Sequence, residues 1–177
     1  MATRILLSLF EFLLTIGLAV CVVIVNYRLS IRVYPDYDAE QELKNKNVGI
    51  AILLAAGLIA SAMIVKNGIF PVVSMVRLAF TSDGAYLPLW QVAGIAVLQI
   101  LLVFAASIFS LSVSLRLFGR LTTRIQEGKE MRVGNPAVGI VLGAVILVIG
   151  LFVSDSMSGL TKSLVPQAPL GTVEIMR

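Results

Sequence analysis

The chain contains no histidine and a single cysteine, Cys21, and only 14% of its 177 residues are charged. Each shortage removes a class of function. Without histidine the commonest general base and the imidazole ligand of zinc sites are gone, and one thiol cannot close an internal disulfide. Cys21 lies in an apolar run and reads as a small packing or lipid-facing residue. No nucleophile–base pair, phosphate loop or metal cluster stands out, so no catalytic residue, cofactor or metal is expected. A soluble domain is about 25% charged. With 58% hydrophobic residues and a mean hydropathy of +0.97, this chain belongs in a membrane.

The residues that remain repeat themselves. GNPAVGIVLG at Gly134 to Gly143 echoes KNVGIAILLA at Lys46 to Ala55, and superposing Asn135 on Asn47 sets an offset of 88 residues, about half the chain. At that offset Arg28 falls on Arg116, Leu29 on Leu117, Arg32 on Arg120, Glu42 on Glu130 and Lys44 on Arg132, with Leu43 near Met131. Most of these are polar positions, where shared hydrophobicity cannot explain agreement. The chain therefore reads as two copies of one unit.

Four apolar runs follow: Ile5 to Asn26, Val48 to Val65, Val92 to Leu115 and Pro136 to Val153. At about 1.5 Å per helical residue, each is long enough to cross a hydrocarbon core of about 30 Å or nearly so. The fold class is all-α: a polytopic membrane protein of four transmembrane helices, built as two tandem parallel two-helix repeats with short amphipathic interfacial helices. The first repeat spans 1–66, a connector 67–90, the second repeat 91–153 and an exposed tail 154–177. The first run is expected to be retained, since it exceeds a signal-peptide core, no A-x-A site closes it, and its counterpart lies mid-chain.

Nine of the fourteen basic residues sit in two segments, Tyr27 to Asn47 and Arg116 to Asn135. That bias is a topology signal rather than a nucleic-acid patch, and it sets both segments in the cytoplasm with both termini outside. In LRLFGRLTTRIQE, Arg116, Arg120 and Arg124 recur every four residues beside Leu117, Leu121 and Ile125. A basic stripe next to an apolar one suits anionic headgroups or a protein partner. Arg28 and Arg32 occupy the matching places, and the first copy restarts after Pro35 with Asp38 and Gln41 as a capping box. Asp36, Asp38, Glu40 and Glu42 read as a solvated face or a dock for a basic partner.

Asn47 and Asn135 stand where each cytoplasmic segment becomes a span, and both read as helix N-caps, with Pro136 at the first helical position. Gly139 and Gly143 form GxxxG, and the offset sets Ala51 and Ala55 in the same places; Ala56, Gly57, Ala60 and Ser61 widen that face. Small residues four apart let helices approach closely. The connector carries Pro71, Asp83, Gly84 and Pro88 and reads as an interfacial helix at Ile69 to Phe80 ending in a turn, with Tyr86 and Trp90 as interface anchors, or as a re-entrant hairpin buried by other subunits. Glu11 lies inside the first run and corresponds to Gln99 in the third. Intramembrane polar groups are functional candidates. They suit either an ion or proton path with Thr15, Ser107, Ser110, Ser112 and Ser114, or a hydrogen bond between helices or to a neighbouring subunit.

YPDYDAEQELKNKNVGIAILLAAGLIASAMI, the NGIFPV connector and the W-x-x-x-x-I-A-x-x-Q-x-x-L-V-F pattern together resemble the bacterial inner-membrane family called domain of unknown function 350, over Val25 to Val153. The resemblance implies a four-helix plasma-membrane protein and, by analogy, a place in envelope stress or assembly. It carries no catalytic residues across. Two functions fit: a self-associating structural or accessory subunit that presents basic loops to lipid or protein, and an oligomeric channel or transporter using Glu11, Gln99 and the serines of the third span.

Overall fold

A computed structural model of the chain describes residues 2–33, 38–81, 88–121 and 127–165. Within them the order is α1 (Ala2–Val33), α2 (Ala39–Lys44), α3 (Val48–Thr81), α4 (Leu89–Leu121), α5 (Glu127–Arg132) and α6 (Pro136–Ser163). α1, α3, α4 and α6 are each long and apolar enough to span a bilayer, which makes this a multi-pass membrane protein. Helix is the structure such a segment must take, because hydrocarbon offers no partner for an open N–H or C=O.

The helices run longer than the apolar runs suggest. The interfacial helix expected at Ile69 to Phe80 is instead the last part of α3, which continues through Pro71 to Thr81. Pro71 removes one helical hydrogen bond, but Ile69, Val72 and Met75 are buried, so packing keeps the helix continuous through the proline. α6 likewise passes Val153 and ends at Ser163, with Ser154, Met157 and Thr161 buried. Those residues belong to the fold rather than to an exposed tail. Of the expected interface anchors, Trp90 is exposed at the start of α4, while Tyr86 lies outside the described residues.

α3 and α6 form the central pair. Gly49 lies against Gly139, Ala56 against Gly143, Ala60 against Gly150, and Asn67 bonds to Ser154, so position rises together along both helices. They run parallel, as tandem repeats with an even number of spans each require. α4 runs antiparallel to both and packs on both, with Leu111 against Gly57 and Val103 against Gly68 and near Met157. α1 packs on α3, touches α4 slightly and leaves α6 almost untouched. The two halves are thus alike in sequence but unequal in packing.

Candidate functional site

Two constellations emerge: a duplicated corner at the start of α3 and α6, and a set of polar groups along the spans. Each corner begins with a short helix that ends in a left-handed residue, Lys46 at φ 59° and Gly134 at φ 80°. The N–H of Asn47 reaches back to the Glu42 carbonyl at 3.0 Å and that of Lys46 to Leu43 at 3.0 Å; Asn135 to Glu130 at 3.0 Å and Gly134 to Met131 at 3.1 Å repeat the pattern. This six-to-one and five-to-two pair is the Schellman termination.

The asparagine that ends one helix starts the next. Asn47 Oδ1 accepts from the Ile50 amide at 3.1 Å, and Asn135 Oδ1 accepts from the Ala137 amide at 3.0 Å. The other end of each side chain donates to its own acidic partner, Asn47 Nδ2 to Glu42 at 2.9 Å and Asn135 Nδ2 to Glu130 at 2.8 Å. Both N-cap assignments hold, and the glutamates matched by the repeat acquire a reason. The corners also join: Asn47 Nδ2 donates to the Met131 carbonyl at 2.6 Å, and Asn47 is buried. A Cβ on Gly49 would stand 2.9 Å from the Asn135 carbonyl oxygen.

Above the corners the α3–α6 seam closes to backbone contact. A Cβ on Gly139 would come within 2.6 Å of the Gly49 Cα, and one on Gly150 within 2.6 Å of the Ala60 Cβ; at Gly143 the nearest atoms are at 3.3 Å. Gly139 and Gly143 therefore do serve a close helix approach. Ala51 and Ala55 do not meet them. They line a recess of about 300 Å³ with Val23 and Tyr27 of α1, and Ala55 is exposed. The offset aligns the copies in sequence, but the true partners on α3 are Gly49, Ala56 and Ala60, because a residue's face depends on the helix's rotation in its own surroundings. Gly57 faces α4 instead, where an added Cβ would lie 3.4 Å from Leu111.

Glu11 and Gln99 do not come together. Arg77 of α3 clamps Glu11 with Nε to Oε1 at 2.9 Å and a terminal nitrogen to Oε2 at 2.7 Å. The Arg77 and Glu11 side chains are 56% and 22% exposed near the ends of their spans, so the pair is a partly exposed one of modest energy. Gln99 is fully buried between α4 and α6, its Nε2 donating to the Thr161 carbonyl at 3.1 Å, while its Oε1 has no partner among the described residues. Aligned sequence positions need not be neighbours: α1 and α4 pack differently. The hydroxyls turn mostly to their own helices, Thr15 to Glu11, Ser112 to Ile108 and Ser114 to Ser110. Ser107 and Ser110 are buried.

Arg28, Arg116 and Arg120 are exposed at the ends of α1 and α4 that lie beside the corners. Arg32 lies on the last turn of α1, and Arg124 falls outside the described residues. Tyr27 at that end of α1 donates to Glu40 of α2, and this bond, with Glu40's charge, raises the phenol's pKa above its ordinary 10.0.

Three features gave little sequence signal. Asn67 Nδ2 donates to Ser154 Oγ at 2.8 Å, which in turn donates to the Met63 carbonyl at 2.9 Å, tying α3 to α6 in mid-span. Directly after Ser154 comes Asp155, and directly before Asn67 comes Lys66; both are exposed. Lys66 also lines an apolar groove of about 730 Å³ between α1 and α3, with Glu11 in the same lining. An unpaired charge at the centre of a spanning helix costs about 2.5–3.5 kcal/mol on insertion scales.

The duplicated corner and the two spans per copy agree with the comparison to known families. Residues 4–104 and again 92–176 match Domain of Unknown Function (DUF350). The chain belongs to the DUF350 family. The second DUF350 match runs to residue 176, well past the Val153 limit of the resemblance in sequence, in keeping with α6 continuing to Ser163. No curated protein and no solved structure matched the chain.

Proposed function

We propose that this DUF350 protein is a self-associating accessory subunit of the bacterial plasma membrane, with no catalytic step of its own. It presents the basic ends of α1 and α4 and the two short helices to anionic lipids or a protein partner. In this reading the corners face the cytoplasm and both termini face outward, following the basic bias. A role in envelope stress or assembly is carried by analogy alone.

The observation that carries the reading is how the spans use their polar groups. Glu11 is held by Arg77, Gln99 by the Thr161 carbonyl and Asn67 by Ser154, at separate places, and the central seam closes to backbone contact. Polar groups paired at separate places in this way fix helices together, whereas conduction needs them lined up along a wet path. Two measurements test the reading. Donor- and acceptor-labelled copies mixed in liposomes should show energy transfer that falls on lipid dilution, and proton flux should match empty liposomes for both the wild type and Glu11→Gln. A flux abolished by Glu11→Gln would instead identify a conductor, and absence of energy transfer at high protein density would remove self-association.

A further inference from the structure

Lys66 and Asp155 carry opposite charges at one height on one open face. The height follows from the Asn67–Ser154 hydrogen bond, since each charge is the immediate neighbour of one of its partners. The face follows from α4. Gly68 lies against Val103, Met157 shares one buried cluster with Val103, Lys66 is two residues from Gly68, and Asp155 is two residues from Met157. Two residues turn a helix by about 200°, so both charges point away from α4. Neither has an ion-pair partner among the described residues.

Their depth makes this consequential. The span Val48–Phe80 is 33 residues long, and Lys66 lies two residues, about 3 Å, from its middle. Asp155 lies five to six residues, about 8 Å, beyond the middle of its own span Pro136–Ser163 and about 12 Å inside its end. A lysine there can only partly snorkel, and an aspartate has almost no stem with which to do so. The nearest acidic side chain in the groove beside Lys66 is Glu11, which Arg77 already holds.

The packing is also asymmetric. α4 fills the groove between α3 and α6 on one side, but α1 leaves the opposite side of α6 uncovered. Ile140, Val148, Leu151 and Phe152 are exposed there.

We propose that a second copy of this chain covers this face, in a two-fold dimer where Lys66 of each copy pairs with Asp155 of the other. A two-fold axis along the membrane normal preserves height, so two groups can pair reciprocally across it only if they lie at the same level, as these do. One face thus supplies both halves of its own complement. The proposal rests on the self-association reading above and names its surface.

The test uses two differently tagged full-length copies in a Cys21→Ser background, one carrying Lys66→Cys and the other Asp155→Cys. They are reconstituted together in phospholipid bilayers and oxidised. A disulfide between these copies can form only across the dimer, and it is expected to exceed by about tenfold that of a control pair in which Val97→Cys, exposed on α4, replaces Lys66→Cys. In parallel, Lys66→Asp and Asp155→Lys should each weaken association by about tenfold or more, and the double exchange should restore it. The exchange also guards against misfolding, since it returns the charge balance at one level.

A cross-linked yield no greater than the control, or reversals that leave energy transfer unchanged, overturns the pairing. If the wild type associates and neither reversal matters, the copies meet elsewhere and the accessory reading survives. If the wild type shows no energy transfer, both fall together.

Discussion

Replacing Gly139 with alanine tests the central seam at its tightest point. The new Cβ would lie 2.6 Å from the Gly49 Cα, about 0.8 Å short of the 3.4 Å at which ordinary contact begins. No side chain can swing aside, because the opposing atoms at 2.6, 2.7 and 3.0 Å are all backbone of Gly49. The helices must therefore part or shift. Overpacking of this kind costs about 1–3 kcal/mol, and a gap of 0.5–1 Å forfeits roughly a quarter to a half of each dispersion contact it opens. With the Asn47 bond to Met131 only one turn below, we expect a loss of about 2–3 kcal/mol. The comparison is Gly94→Ala in α4, where nothing among the described residues lies within 4 Å of the added carbon. That change should be neutral or stabilising by up to about 1 kcal/mol, since alanine restricts the unfolded chain. Titrating micellar protein with sodium dodecyl sulfate and following far-ultraviolet ellipticity measures both. If Gly139→Ala unfolds at the same detergent fraction as Gly94→Ala, α3 and α6 do not touch there and the seam is misplaced.

Three further outcomes follow from the corners. Lys46 holds φ 59°, where its counterpart is Gly134, so Lys46→Gly should stabilise by about 0.5–1 kcal/mol and Gly134→Lys should destabilise by at least as much in the same titration. Asn47→Ala removes a cap and the bond from Nδ2 to the buried Met131 carbonyl, which keeps only the Gly134 amide, so it should cost about 2 kcal/mol against about 1 kcal/mol for Asn135→Ala, which loses a more exposed cap. Tyr27 donates to Glu40 only while protonated, so it should ionise above the ordinary range, and the bond's contribution should persist below pH 10 and fade as pH rises through the raised value. Phenolate absorbance in a Tyr34→Phe, Tyr37→Phe, Tyr86→Phe background should show this, with Glu40→Gln bringing the titration down.

Much of this architecture is legible in one dimension because the membrane and the duplication each write a strong signal. A span must be apolar along its whole length, so four of them stand out by composition, and residues at turns repeat for reasons of backbone geometry rather than shared hydrophobicity. Asn47, Asn135, Glu42 and Glu130 belong to this class: each bonds within about five residues, so sequence spacing contains the interaction. Helix ends were less legible. Pro71 punctuates the connector, yet burial of Ile69 before it and of Val72 and Met75 after it outweighs the one lost hydrogen bond.

Contacts between helices are a different matter. Ala51 and Ala55 align with Gly139 and Gly143 in sequence, and Glu11 with Gln99, yet none of these pairs touches. Rotation of a helix by one residue, about 100°, exchanges a buried face for an open one without altering composition or period. Sequence alone determined that the chain crosses a membrane four times as two parallel copies, because hydrocarbon and helical geometry act on each segment separately. Only the tertiary structure decided which small residues meet, that Arg77 takes Glu11, and that Lys66 and Asp155 share a level, because those depend on how α1 and α4 settle unequally around the α3–α6 pair.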